Sequence, residues 1–276
     1  MNLQDILEWS AELAGCDSVP ADSQVYVESA SDVRRVLFGV DISLADILWA
    51  QQNGFDAVIA HHPLGDRARL GLAHVVHRQV DQMVAEGVAR DVAERAVAAR
   101  LEAVERRLHV SNLNALVDSA RLVGMPLCNV HLACDIITRD ALTDLLWRNA
   151  GESSSVADAI AWLNDGFAEY RRGHARPQAW AGSTSNPLGR WTVAIAGGTN
   201  GGFPVFHEYF QAGINTIFAM HIDEGDLQQL RAVADPEHTL VITGHMPSDS
   251  IGINAVIAGL EERGIAVVRT GGVVAP

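Results

Sequence analysis

The sequence predicts an α/β fold with mostly parallel strands, and three observations lead to this prediction. A short apolar run, Arg35–Asp41, is followed by a helical segment and then by a second apolar run, Phe55–Ala60. This strand–helix–strand order implies a parallel pair of strands. The same alternation returns from Trp191 onward. The composition, with 48% hydrophobic and 20% charged residues, is that of an ordinary globular protein.

The remaining elements follow from apolar periodicity and from glycine or proline at their ends. An amphipathic helix is expected over the first fifteen residues, and the helix between the first two strands stops at Gly54. A charged helical insert is expected over about 67–120. The further predicted strands are 127–132, 191–196, 214–220, 239–243 and 265–268, and the further predicted helices are 112–123, 141–151, 203–213 and 250–264.

The chain is expected to form two α/β domains. Residues 1–150 are predicted as the N-terminal domain with its helical insert, and 191–276 as the C-terminal region. Between them, 151–190 is rich in Ser, Gly, Pro and Arg, and it is predicted as a connection.

All 20 basic residues are arginine, and this composition excludes several chemistries. Schiff-base catalysis and a Walker A nucleotide loop both need a lysine amine. The net charge of −14 argues against nucleic-acid binding. No apolar run approaches the roughly 18 residues of a membrane helix, so no membrane partner is expected. The three cysteines show no spaced framework, so a cytoplasmic location is expected.

Histidines follow the apolar strands with unusual regularity. Four of the eleven come directly after a strand, and a fifth lies near the end of another: His61, His62, His221, His245 and His131. Because open parallel sheets bind ligands at the carboxyl ends of their strands, these side chains predict a site there. The competing interpretation of any single one is a satisfied structural histidine.

Three motifs supply candidate metal ligands. The pair His61-His62, stiffened by Pro63, suits two metals with one imidazole each, because adjacent side chains of a strand point oppositely. The other two motifs are His131…Asp135 and His245…Asp249, both H-x-x-x-D, although Pro247 makes a regular helical turn doubtful in the second. Imidazoles and carboxylates suit Zn, Mn, Fe, Co or Ni. The alternative for the pair is a polar turn with two incidental imidazoles.

The glycine-rich segment 197–202 opens a helix, so its backbone amides are candidates for binding a phosphate. It lacks the G-x-G-x-x-G spacing of a dinucleotide-binding fold, and a flexible turn without a ligand is an equal alternative. Cys134 is interpreted as a small buried filler in preference to a soft ligand or a redox-sensitive thiol.

On these motifs the sequence resembles the dinuclear metal centre family, the Nif-three-like proteins often labelled GTP cyclohydrolase I type 2-like. The segments that carry the resemblance are 36–64, with its His-His-Pro, 129–135 and 242–249. The resemblance implies two α/β domains with two divalent ions in the cleft between them, and a ring-shaped hexamer. The ligands it implies are His61, His62, Asp135, His245 and Asp249, with Asp135 as the bridge. The third motif of the family usually ends in glutamate, where this chain has Asp249.

The resulting hypothesis is a metal-dependent hydrolase acting on a nucleotide or another small phosphorylated or cyclic substrate. His131 is expected to shuttle a proton, and His221 and Glu224 to line the substrate side. Asp41 and Gly198 are expected to contact substrate or to support the ligands. The alternatives are a metal-binding scaffold or regulator and, with less support, a metal-trafficking protein.

Overall fold

A computed structural model describes residues 1–276 as twelve helices and nine strands. The helices are α1 (Leu3–Leu13), α2 (Leu44–Gln52), α3 (Asp66–Val76), α4 (Arg78–Ala85), α5 (Arg90–His109), α6 (Ala115–Val123), α7 (Leu132–Asn149), α8 (Val156–Gly166), α9 (Ala168–Arg172), α10 (Gly202–Gln211), α11 (Glu224–Val233) and α12 (His245–Glu262). The strands are β1 (Gln24–Val27), β2 (Arg35–Gly39), β3 (Ala57–Ala60), β4 (Leu127–Asn129), β5 (Gln178–Ala181), β6 (Trp191–Val193), β7 (Thr216–Ala219), β8 (Thr239–Ile242) and β9 (Ala266–Thr270).

The first compact unit comprises Met1–Val75, Glu105–Ile137 and Asp249–Ala275. Its five-stranded sheet has the order β1-β4-β3-β2-β9, and only β1 runs antiparallel to its neighbour. One core cluster includes Leu37, Ile47 and Leu127. These are apolar residues of β2, α2 and β4, as expected where helices cover a parallel sheet.

The second unit comprises Val76–Val104 and Thr138–Ser248, with Pro276. Its four-stranded sheet has the order β5-β8-β7-β6, and again only the edge strand β5 is antiparallel. Its core includes Phe206 and Tyr209 from α10, packed with Ile217 from β7. Both units therefore use one plan, a parallel sheet with one antiparallel edge strand.

The predicted α/β class with parallel strands is confirmed. The observed units, however, differ from the predicted ranges. Strand β9 pairs with β2, so the C-terminal strand completes the sheet of the first unit. The 151–190 connection contains α8, α9 and β5. The two antiparallel edge strands, β1 and β5, were not predicted, because strands of four residues give little alternation to detect.

Two helices begin earlier than predicted. As a result, the two H-x-x-x-D motifs lie at the first turns of these helices. Helix α7 begins at Leu132, directly after His131. Helix α12 begins at His245 and contains Pro247, so the doubt about a helical turn there was wrong. Proline is tolerated in the first turn because its missing N–H would have no partner within the helix. None of the twelve helices combines the length and apolar character needed to cross a membrane.

Candidate metal centre

The parallel strands of the first unit bring three histidines to one edge of its sheet. Gly39 of β2 lies beside Ala60 of β3, and Ala60 lies beside Asn129 of β4. The three strands therefore end level with one another. His61 and His62 follow β3 directly, while Asp41 and His131 lie two residues beyond β2 and β4. This is the edge at which open parallel sheets bind ligands.

Two helices bring carboxylates to the same edge. Asp135 lies one turn after His131, and its backbone N–H donates to the His131 carbonyl at 3.2 Å. Asp249 lies in the first turns of α12. The exposed fractions are 6% for Asp135, 1% for Asp249 and 0% for His61. Such burial of charged groups is costly unless they are paired or bind a cation.

Each carboxylate faces two imidazoles. Asp135 places Oδ1 at 3.4 Å from His61 Nε2 and Oδ2 at 3.7 Å from His131 Nε2. Asp249 places Oδ1 at 3.7 Å from His61 Nε2 and Oδ2 at 3.5 Å from His62 Nε2. A bridging carboxylate would be arranged in this way. Asp249 therefore faces two imidazoles in the same way as Asp135, the carboxylate that the resemblance implied as the bridge.

The Nδ1 atoms of His61 and His62 contact hydrogen-bond acceptors that lie outside the facing imidazoles and carboxylates. His61 Nδ1 lies 3.0 Å from the Val130 carbonyl, which can only accept, so Nδ1 carries the proton. His62 Nδ1 lies 2.8 Å from Asp41 Oδ1, and the same assignment follows. In both rings Nε2 is therefore the nitrogen turned toward the carboxylates. Carboxylate–histidine–metal sites have this arrangement.

His131 is held in the same way by a residue that the sequence did not indicate. Asp22 is completely buried, and its Oδ2 lies 2.6 Å from His131 Nδ1. The backbone N–H of His131 donates to Ser23 Oγ at 3.0 Å. Asp22 lies in the loop before β1, outside every recognisable motif, so no sequence signal marked it.

The buried polar atoms of this cluster favour a bound cation. His61 Nε2 and Asp135 Oδ1 are both buried without a hydrogen-bond partner. Burial lowers the pKa of His61, but Asp249 and Asp135 raise it more, so its pKa lies well above the usual value of an imidazole. The strong preference for a positive charge at His61 Nε2 is the preference that a metal ion would satisfy.

Two overlapping triplets in the first unit have the spacing of metal ligands. His61, His62 and His131 form one, and His61, Asp135 and Asp249 form the other. Within each triplet the ligand atoms lie within 4.8 Å of one another. This donor set of imidazoles and carboxylates suits divalent first-row metals.

Asn129 connects segments next to the cluster through hydrogen bonds of its side chain. It was also not predicted from the sequence. Its buried amide oxygen accepts from the Tyr26 hydroxyl at 2.7 Å. Its amide nitrogen donates to the backbone carbonyls of Asp22 at 2.8 Å and His61 at 3.3 Å. One side chain therefore connects the loop that carries Asp22 to the strand end that carries His61.

The remaining predicted site residues belong to the second unit. The rings of His221 and His245 lie 4.5 Å apart. His221 Nδ1 lies 3.0 Å from the Asn200 amide nitrogen. Gly198 adopts φ +70° in the glycine-rich loop, and the exposed Glu224 accepts from its helix neighbour Gln228 at 2.6 Å. The ligand role of His245 and the substrate roles of the others stay predictions.

Comparisons with known proteins identify relatives of this chain. A family model described as Duf34/NIF3 (NGG1p interacting factor 3) matches residues 1–100. A NIF3 superfamily protein from Sphaerobacter thermophilus, known from its crystal structure, is 36% identical with a TM-score of 0.92, and the match covers 99% of this chain and 98% of that one.

More distant structures share the fold alone. Reduced HcgD from Methanocaldococcus jannaschii is 12% identical with a TM-score of 0.56, covering 98% of this chain and 97% of that one. A hypothetical protein from Staphylococcus aureus is 11% identical with a TM-score of 0.54, covering 98% and 96%. No protein with a curated description matches. On the near-complete match at 36% identity, the chain belongs to the NIF3 superfamily.

Proposed function

We propose that this protein binds two divalent metal ions and acts as a metal-dependent hydrolase on a nucleotide or another small phosphorylated or cyclic substrate. One observation carries the metal-binding part. His61 and His131 hold their Nδ1 atoms toward acceptors outside the cluster, so the Nε2 atoms are the ones that face Asp135, at 3.4 and 3.7 Å. The buried carboxylates favour a positive charge beside these nitrogens, either the proton of His61 or a metal ion that displaces it.

The two triplets support the proposal of two ions. They share His61, and together they hold more donors than one ion needs within a single four-coordinate site. We assign zinc, iron, manganese, cobalt or nickel, the divalent metals that imidazole and carboxylate donors favour. When bound, such a pair of ions supplies Lewis acidity and lowers the pKa of water.

We assign His131 as a ligand instead of the expected proton shuttle. Its Nδ1 is committed to the buried carboxylate of Asp22, and its Nε2 belongs to a ligand triplet. Neither nitrogen is left to carry a proton to and from a substrate. Asp22 fixes the tautomer and orientation of the ring, as an acceptor behind a ligating histidine usually does.

Substrate would approach the centre beside His62. This side chain is 24% exposed, and that of its partner Asp41 is 70% exposed, whereas His61 is completely buried. The hydrogen bond of Asp41 orients the His62 ring at the solvent-facing side of the cluster. An accessible edge of this kind supports the hydrolase over a sealed structural site.

The test is metal analysis of protein purified without added metal, combined with a panel of nucleotides, phosphomonoesters and cyclic phosphodiesters. Asp135→Asn should lose bound metal and hydrolysis together. Asp140→Asn, an exposed acid on the same helix, is the matched control and should keep both. Metal-free wild-type protein that also fails to take up added zinc, manganese or cobalt would disprove the site.

A non-enzymatic scaffold or regulator is the second candidate, favoured by the burial of the remaining ligands. The side chains of Asp135, Asp249 and His131 are 8%, 1% and 8% exposed, which resembles a closed structural site. Stoichiometric metal without turnover on the panel would support it. A ring-shaped homohexamer and a cytoplasmic location belong to either proposal, and light scattering would test the hexamer.

A further inference from the structure

A buried hydrogen bond joins helices α7 and α12 next to the two carboxylates of the proposed centre. Thr138 on α7 donates its hydroxyl to the backbone carbonyl of Ser248 on α12 at 2.8 Å, and both residues are completely buried. Thr138 follows Asp135 by three residues, and Ser248 directly precedes Asp249. The bond therefore fixes the two helices to each other within one turn of each carboxylate.

The position of Thr138 on α7 is matched to the proposed ligands. A threonine inside a helix often bonds a carbonyl one turn earlier in its own helix, whereas this hydroxyl donates to the neighbouring helix. His131, Asp135 and Thr138 are spaced by four and three residues, so they share one face. The face of α7 that carries the ligands therefore also carries the residue that binds α12.

Ser248 is held by a second set of hydrogen bonds through its own hydroxyl. Its Oγ lies 2.8 Å from Thr243 Oγ1 and 3.0 Å from the Tyr170 hydroxyl, and all three side chains are completely buried. Thr243 Oγ1 lies 3.3 Å from the Ala219 carbonyl, which can only accept. The hydroxyls therefore donate in one direction, from Tyr170 through Ser248 to Thr243. Each has an acceptor, so Ser248 is held firmly.

The two carboxylates need such a contact because they repel each other. The ligand atoms of Asp135, Asp249 and His61 lie within 4.8 Å of one another, and the two acids are only 6% and 1% exposed. Like charges at this separation, with little solvent between them, favour a wider spacing whenever no cation lies between them. The uncharged hydrogen bonds at Thr138 and Ser248 oppose that movement.

We propose that Thr138 and Ser248 are positioning residues, which hold these two carboxylates at the separation that a small divalent ion requires. This inference rests on the proposed metal centre, and it adds that the site discriminates between ions by size. Zinc–carboxylate bonds measure about 2.0–2.2 Å, and a larger ion of equal charge, such as cadmium, needs longer ones. A fixed separation between the carboxylates therefore favours the smaller ion.

Metal affinities of the Thr138→Val variant test the inference. Valine keeps the shape of the side chain and removes the hydroxyl. Competition with a chromophoric chelator should show that zinc affinity falls by roughly 10-fold or more, as it does when other residues behind a ligand are lost. Cadmium affinity should fall less, because the released carboxylates can move apart. Thr138→Ser keeps the hydroxyl and should restore zinc affinity to near the wild-type value.

A second buried threonine provides the matched control. Thr216 on β7 is also completely buried, and it donates to the Leu188 carbonyl at the same distance of 2.8 Å. Neither Thr216 nor Leu188 belongs to an element that carries a proposed ligand. Thr216→Val should therefore lower the urea midpoint of the metal-free protein about as much as Thr138→Val does, and it should leave zinc affinity unchanged. An equal loss of zinc affinity in both variants would overturn the inference.

The remaining outcomes separate this inference from the proposed function. Wild-type protein that binds neither zinc nor cadmium would overturn the metal centre itself. Wild type and Thr138→Val with the same zinc affinity would overturn the positioning role and leave the centre standing, and so would equal losses for zinc and cadmium. If Thr138→Val does not fold, Ser248→Ala decides in its place. It should weaken zinc binding more than cadmium binding, and an unchanged zinc affinity would overturn the inference.

Discussion

Replacing Asp22 by asparagine tests whether a buried carboxylate behind His131 sets metal affinity. Asp22 is completely buried, and its Oδ2 lies 2.6 Å from His131 Nδ1. Asparagine has nearly the same shape, and the Asp22 carbonyl that accepts from Asn129 at 2.8 Å belongs to the backbone and is kept. The substitution therefore removes the charge with little change in packing.

The expected magnitude follows from the hydrogen bond. A hydrogen bond to a charged group contributes about 1.5–3 kcal/mol, against about 0.5–1.5 kcal/mol for a neutral one. The difference of about 1–1.5 kcal/mol corresponds to a loss of about 5- to 12-fold in metal affinity at Nε2, since 1.4 kcal/mol is tenfold. The loss arises because a neutral amide makes His131 a less basic ligand than the carboxylate does.

Competition with a chromophoric zinc chelator measures this loss directly, and urea denaturation of the metal-free protein verifies that the variant folds. Asp41→Asn is the matched control, because Asp41 holds His62 at 2.8 Å but its side chain is 70% exposed. Solvent screening limits that loss to less than about 5-fold. Unchanged affinity in Asp22→Asn, or a larger loss in Asp41→Asn, would refute the reasoning.

Three further predictions concern stability. Asn129→Ala should lower the free energy of unfolding by about 2–4 kcal/mol, because it removes a buried amide and leaves its partners unpaired; a urea-denaturation loss below about 1 kcal/mol would contradict this. In the same assay, Gly71→Ala should lower the free energy of unfolding by about 1–3 kcal/mol, because a Cβ there would overlap the Ala21 carbonyl. Gly225 has open space around it, so Gly225→Ala should not lower this free energy. Burial lowers the pKa of His61, but the nearby carboxylates raise it well above its usual value. Its contribution to metal-free stability is therefore complete below the ordinary imidazole pKa and lost as the pH rises through the folded pKa. The Tm of the metal-free protein should fall across that range, and saturating zinc should remove the slope; an equal slope with zinc would contradict the prediction.

The sequence predicted that the side chains following parallel strands lie close together, and the structure places them at one edge of the sheet. Three successive apolar runs end in Asp41, His61-His62 and His131, and parallel strands must bring such ends to one edge of a sheet. The spacing of His131 and Asp135 likewise predicted a shared helical face, and their facing atoms lie 3.7 Å apart. Periodicity and side-chain type were sufficient for these conclusions.

Asp22 and Asn129 could not be predicted in this way. Asp22 lies in an irregular loop, and Asn129 is an inward-facing position of a three-residue strand. Their importance arises from hydrogen bonds that span 109 and 103 residues of chain, to His131 and Tyr26 respectively. No local pattern contains information about partners at such separations.

The sequence by itself determined the α/β class, the absence of lysine chemistry and the candidate ligands, which are imidazoles and carboxylates. Each of these depends only on which residues are present and on their spacing along one strand or helix. Tertiary structure alone decided that β9 returns to pair with β2 and that Asp249 meets His61 across 188 residues, with 3.7 Å between their facing atoms. It also decided which nitrogen of each histidine faces the cluster. These features are set by long-range packing and by the need of buried polar atoms for partners, which only the folded chain brings within reach.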